Sequence, residues 1–66
     1  MTIIVNGQER TIEEGATLLE LLKKLDLEEK VMAAAVNMQI VKQDQWGEHR
    51  LNDSDKLELL DFVGGG

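Results

Sequence analysis

The chain has 66 residues and contains no cysteine and no proline. Without cysteine it can form neither a disulfide nor a thiolate metal site, so nothing in the sequence indicates an oxidising compartment. A cysteine nucleophile is excluded as well, and the lone His49 with Ser54 in a predicted turn makes a weak hydrolytic pair. We therefore expect a protein that is not itself an enzyme and that holds no metal or cofactor.

Basic residues and long apolar runs are also scarce. Seven Lys and Arg against thirteen Asp and Glu give a formal net charge of −6, which argues against binding nucleic acid or an anionic membrane through charge. No run approaches the roughly 18 apolar residues of a membrane span, and Met1 begins a strand pattern rather than a signal peptide. We expect a cytoplasmic protein that is monomeric when free.

The first residues predict a β-hairpin. The β-branched run 2–5 and the segment 8–12 flank Asn6-Gly7, the pair best suited to a type I′ turn because both turn positions need positive φ. The segment 8–12 is polar enough to lie at a sheet edge.

A capping box predicts the start of one helix. Thr17 is followed three residues later by Glu20, so the hydroxyl can accept from the Glu20 amide while the carboxylate reaches back. The helix predicted over residues 17–25 has an apolar face made of Leu18, Leu21, Leu22 and Leu25. This face should lie across a sheet and supply much of the core.

The second half of the chain predicts three strands and a loop. Residues 31–36 and 40–41 form two short strands joined at residues 37–39, and the alanines of the first would let sheet and helix approach closely. Apolar residues show no clear period in residues 42–51. This segment is therefore predicted to be a loop with a helical turn, in which Trp46 is a packing anchor.

A turn at residues 52–55 leads into the last predicted strand, residues 57–63. The first and last strands are the most apolar, so we place them side by side at the sheet centre, parallel if the crossover through the helix is right-handed. Residues 1–66 then form a single α+β domain of the β-grasp type, a mixed sheet with one helix packed across it.

Alternation along the last strand divides its side chains between two faces. One face carries Leu57 and Leu59, and the other carries Glu58, Leu60 and Phe62. If the helix covers the first face, Leu60 and Phe62 are left exposed beside the chain end. With Val63 they form a predicted partner-binding group, since clustered exposed apolar residues tend to mark interaction sites. The alternative is that the loop carrying Trp46 folds over them.

Three glycines, Gly64, Gly65 and Gly66, end the sequence. Because glycine has no Cβ, such a tail is thin and costly to order. It can carry the ionised terminal carboxylate into a narrow site on another protein, where this group can attack the α-phosphorus of ATP. A frayed end or a linker remnant is the alternative.

Several short motifs follow one another along the whole chain. They are Ile4-Val5-Asn6-Gly7, Gly15-Ala16-Thr17-Leu18, Ala35-Val36-Asn37, Ile40-Val41, Trp46, Leu51, Asp53, Asp55 and Val63-Gly64-Gly65-Gly66. In this order and spacing they resemble the ThiS family of bacterial sulfur carriers, β-grasp relatives of ubiquitin. Two loops depart from the family pattern: Val41-Lys42-Gln43 replaces a frequent Val-Pro-Arg, and Asp53-Ser54-Asp55 replaces a frequent Asp-Gly-Asp.

The resemblance implies a mechanism. A ThiF-type adenylating enzyme would activate Gly66 with ATP, and a cysteine persulfide would supply the sulfur for a Gly66 thiocarboxylate. Thiazole synthase would then use this sulfur for the thiazole ring of thiamine. Gly64, Gly65 and Gly66 would enter the partner's active site, and the lack of cysteine fits, because sulfur could not be carried as a persulfide on this chain.

Three alternatives stay open at this point. The small subunit of molybdopterin synthase uses the same chemistry, although those chains are typically longer and often have prolines before the final glycines. A protein modifier joined to lysines through Gly66 would share the activation step and differ only in the acceptor. A plain interaction module with an inert tail would not be activated at all.

Overall fold

A β-hairpin begins the fold. The computed structural model describes residues 1–61, and in it strand β1 (Thr2–Val5) pairs antiparallel with strand β2 (Gln8–Thr11). The turn residues Asn6 and Gly7 have φ values of 49° and 85°, as a type I′ turn requires. All of β2 is exposed at the sheet edge, so the predicted hairpin and its polar edge strand are confirmed.

Helix α1 (Leu18–Lys24) begins at the predicted capping box. Thr17 Oγ1 accepts from the Glu20 amide at 3.2 Å, and the Glu20 carboxylate accepts from the Thr17 amide at 2.8 Å. The buried residues of the helix are Leu18, Leu21 and Leu22, whereas Leu25 at the C-cap is partly buried against the core. Within residues 1–61 no helix has the length and apolar character needed to cross a membrane.

A second hairpin joins strand β3 (Val31–Val36) to strand β4 (Gln39–Val41), which pair antiparallel. Its turn residues Asn37 and Met38 have φ values of 51° and 69°, so this turn has the same handedness as the first. Asparagine tolerates the left-handed region of φ and ψ, whereas methionine, the residue at position 38, adopts it rarely. The two predicted short strands are confirmed.

Strand β5 (Lys56–Asp61) lies in the middle of the sheet, whose strand order is β2-β1-β5-β3-β4. It is parallel to β1, with Lys56 opposite Ile4 and Leu57 opposite Val5, and antiparallel to β3. The parallel central pair confirms the predicted β-grasp architecture of a mixed sheet with one helix.

The loop between β4 and β5 packs on the helix side of the sheet. After a single 3₁₀ turn (Gln43–Gln45), Trp46 is only 1% exposed and its Nε1 donates to the Val41 carbonyl at 3.0 Å. The amide of Leu19 donates to the Trp46 carbonyl at 3.0 Å. Trp46 is thus the predicted packing anchor, and it belongs to the same core cluster as the helix leucines.

Candidate functional site

The two faces of β5 differ sharply in exposure. Leu57 and Leu59 are 1% and 8% exposed and belong to the core cluster that contains the helix leucines. Leu60, on the other face, is 61% exposed. The helix therefore covers the face that carries Leu57 and Leu59, and the loop with Trp46 does not cover Leu60. The open face is the one that the strand pattern predicted.

The sheet register places further apolar residues beside Leu60. Leu60 lies opposite Ala33, and Glu58 lies opposite Ala35, which is itself opposite Ile40. Residues directly opposite each other on neighbouring strands point to the same face. We call Ala33, Ala35, Ile40 and Leu60 the open-face patch. A groove of about 540 Å³ runs over it, with the Asn6-Gly7 turn at its edge.

Ile40 is a member of this patch that the sequence reasoning did not single out. It is 72% exposed, and in a strand of only three residues the alternation that separates it from buried Val41 is easily overlooked. Met38, which is 90% exposed, lines a neighbouring groove with Ile4 and Lys56. The apolar surface therefore extends beyond the last strand across the second hairpin.

Among the predicted site residues, Leu60 lies within the described structure, on the open face of β5. Phe62, Val63, Gly64, Gly65 and Gly66 lie outside the described residues. Strand β5 is described as far as Asp61, and these five residues come next in the sequence. In residues 1–61, no three His, Cys, Asp or Glu side chains are grouped so that they could hold a metal ion.

His49 has no chemistry predicted from the sequence, but its main chain has a structural role. Its carbonyl accepts from the Leu18 amide at 2.8 Å, and its own amide donates to the Gln45 carbonyl at 3.0 Å. The first of these bonds satisfies one of the free amides at the start of α1. His49 thus helps to attach the loop that carries Trp46 to the helix.

Over residues 1–61, a mixed five-stranded sheet with a parallel central pair and one helix across one face defines a β-grasp protein. The comparisons with known proteins make this more specific. A model of the ThiS family matches residues 3–66. The crystal structure of the thiamine biosynthesis protein ThiS from Geobacter metallireducens superposes with a TM-score of 0.81 and 28% identity, and each chain is covered completely.

The curated relatives agree with the family match. The sulfur carrier protein ThiS of Escherichia coli is 38% identical over 66 residues, which cover the whole of both chains. The chain therefore belongs to the ThiS family of sulfur carriers, as the resemblance implied. It is also 35% identical over 66 residues to a protein named thiazole synthase from Paramagnetospirillum magneticum, of which it spans only 20%.

Proposed function

We propose that this protein carries sulfur for thiamine biosynthesis as a thiocarboxylate on Gly66, in the cytoplasm, and that it is a substrate of its partner enzymes rather than an enzyme. The observation that carries the proposal is the family match, which extends over residues 3–66 and so includes Gly64, Gly65 and Gly66. The sequence contains no cysteine, so a side-chain persulfide is not an available form of the cargo.

Formation of the thiocarboxylate would proceed in three steps. The Gly66 carboxylate attacks the α-phosphorus of ATP on a ThiF-type enzyme, which forms an acyl-adenylate and releases pyrophosphate. The terminal sulfur of a cysteine persulfide then attacks the Gly66 carbonyl carbon and displaces AMP. Attack by a thiol on the resulting acyl disulfide breaks its sulfur–sulfur bond, leaving the Gly66 thiocarboxylate and a disulfide between the thiol and the donor cysteine.

Thiazole synthase is the proposed acceptor of the sulfur. The chain is 35% identical to a segment of a longer protein named thiazole synthase. A carrier-like segment within a protein of that name fits a direct transfer from the carrier to the synthase. The narrow tail of Gly64, Gly65 and Gly66 would enter each partner's active site in turn.

The open-face patch, extended by Phe62 and Val63, is the proposed docking surface for both partners. Leu60 and Ile40 are 61% and 72% exposed, and exposed apolar side chains that lie together are typical of interaction sites. The patch lies on β5 and its neighbours, so a partner that contacts it is close to the point where residues 62–66 begin.

Mass spectrometry tests the proposed cargo. Incubation of the purified protein with ATP, a ThiF-type enzyme, a persulfide donor and a thiol should replace one oxygen of Gly66 with sulfur, and fragmentation should place the change on Gly66. Omission of ATP and a variant without Gly66 are the controls. An unchanged intact mass, with an enzyme that activates another ThiS protein in parallel, would contradict the carrier function. Attachment of Gly66 to protein lysines, rather than transfer of its sulfur to thiazole synthase, would indicate a protein modifier.

The docking surface is tested by a matched pair of substitutions on β5. Leu60→Ala should weaken binding to the adenylating enzyme by about 5- to 30-fold, since truncated interface anchors commonly cost more than about 1 kcal/mol. It should leave the melting temperature nearly unchanged because Leu60 is exposed. Leu57→Ala, by contrast, should cost about 2–5 kcal/mol of unfolding free energy. Phe62→Ala is expected to act like Leu60→Ala.

Titration calorimetry and thermal unfolding by circular dichroism measure the two effects on the same samples. If Leu60→Ala binds the enzyme as tightly as the parent protein, the open-face patch is not the docking surface. A large loss of stability in Phe62→Ala with unaltered affinity would show that Phe62 belongs to the core.

A further inference from the structure

Strand β5 has unequal main-chain support along its two edges. Strand β3 pairs with it from Leu57 to Asp61, whereas β1 pairs only with Lys56 and Leu57. The last main-chain bond along the β1 edge runs from the Asn6 amide to the Leu57 carbonyl at 2.9 Å. Beyond this bond the chain of β1 enters its turn, and within residues 1–61 no strand pairs with the main chain of Leu59 on that edge.

At this position the side chain of Asn6 forms the hydrogen bonds that a neighbouring strand would otherwise form with Leu59. Its Oδ1 accepts from the Leu59 amide at 2.8 Å, and its Nδ2 lies 3.4 Å from the Leu59 carbonyl, to which it donates. One side-chain amide therefore pairs with both main-chain groups of Leu59, in place of the two separate peptide groups that a longer β1 would supply. The left-handed φ of 49° at Asn6 places the side chain beside β5 while the main chain turns away.

The second hairpin contains a matching residue at the other end of β5. Asn37 has nearly the same φ, 51°, and its Oδ1 accepts from the Lys56 amide at 3.0 Å. Its Nδ2 donates to the carboxylate of buried Asp55 at 2.9 Å. Asn37 thus holds the start of β5, and Asn6 holds the part of the strand nearest to the chain end.

We propose that Asn6 is a positioning residue for the sulfur-carrying tail, an inference that rests on the proposed function. Leu59 lies two positions before Asp61, the last described residue of β5, so the Asn6 contact constrains the direction in which the chain leads towards Gly66. Without it, this part of β5 is held along one edge only, by β3. It is then freer to move, and restricting that motion when the carrier docks lowers affinity. The chemical step at Gly66 would be unaffected once the tail is bound.

The test compares Asn6→Gly with the matched control Asn37→Gly. Glycine readily adopts positive φ, so both variants keep their turns, and each loses the two hydrogen bonds of its asparagine side chain. Asn6→Gly should raise the KM for the carrier in ATP–pyrophosphate exchange by about 3- to 10-fold, with kcat unchanged. This is the range for one typical hydrogen bond, because the 3.4 Å contact to the Leu59 carbonyl is long and contributes little beside the 2.8 Å bond. Asn37→Gly should leave both constants at the parent values.

Amide hydrogen exchange gives a second measurement that does not depend on the enzyme. The Leu59 amide should exchange faster in Asn6→Gly than in the parent protein or in Asn37→Gly. A parent-like KM for Asn6→Gly, or an equal rise in KM for both variants, would overturn the positioning role and leave the carrier function intact. Failure of the parent protein to be activated at all would overturn the carrier function and the inference with it.

Discussion

Replacement of Trp46 by alanine should leave much of the protein unfolded at room temperature. Trp46 is 1% exposed and is the largest of the fully buried side chains. Removal of a buried tryptophan side chain costs about 3–5 kcal/mol. A single core in a chain of this size rarely provides more than about 3–5 kcal/mol of stability, so this one substitution removes a comparable amount.

The loss of unfolding free energy should exceed the part that comes from packing alone, because Trp46 also joins the loop to the rest of the core. Its Nε1 donates to the Val41 carbonyl, and its own carbonyl accepts from the Leu19 amide. Loss of the indole leaves the Val41 carbonyl without this donor and loosens the loop against the start of α1. The cost of an unpaired buried polar group, about 1–3 kcal/mol, adds to the cavity term.

Circular dichroism in a urea or temperature series measures this prediction. Trp46→Ala should lower the melting temperature by about 15 °C or more, since 1 kcal/mol corresponds to about 4–8 °C in a domain of this size. Trp46→Phe is the control, because it keeps a large ring in the core while it removes the Nε1 donor, and it should be less damaging. A melting temperature for Trp46→Ala within a few degrees of the parent value would show that the loop is not part of the cooperative fold.

Much of this fold could be predicted because its signals are local. Asn6-Gly7 specifies a turn through the φ values that these two residues tolerate, and the capping box needs only the spacing of Thr17 and Glu20. Both were observed with the expected geometry. The exposure of Leu60 followed from strand alternation, together with the fact that one helix can cover only one face of the sheet.

Contacts between distant parts of the chain could not be predicted in this way. Nothing near Asn6 in the sequence indicates that its side chain bonds to Leu59, because the contact depends on where β1 ends relative to β5. The attachment of the His49 carbonyl to the Leu18 amide likewise depends on the path of the loop. Met38 carries no sequence signal for its φ of 69°, since that conformation is imposed by the pairing of β3 with β4.

For the candidate site, the sequence predicted Leu60, and the structure added Ile40 through the register of β3 and β4. The roles of residues 62–66 remain predictions, which experiments with the partner enzymes can test. Residues 64–66 are all glycine, a feature that the proposed function attributes to a narrow site on the partner enzymes. The proposed chemistry at Gly66 therefore rests on the sequence, whereas the proposed docking surface depends on the register of the sheet.

The tail itself leads to the second large expected effect, which is on activity alone. Gly65→Val should lower kcat/KM for adenylation by about 100-fold or more, because a misplacement of about 1 Å at a reacting group can cost that much. Valine adds a branched side chain next to the reacting residue. It also restricts φ and ψ at a position where glycine allows conformations that a branched residue cannot adopt.

Stability should be almost unaffected, which separates this variant from Trp46→Ala. The described core is built from residues between Ile3 and Leu59, and substitutions away from a core usually change the unfolding free energy by less than about 0.5 kcal/mol. Gly65→Ala provides a graded comparison and should lose less activity than Gly65→Val, because a single methyl group is narrower than an isopropyl group. ATP–pyrophosphate exchange and thermal unfolding on the same samples give both quantities. If Gly65→Val is adenylated at the parent rate, the partner has no narrow channel, and the three glycines need another explanation.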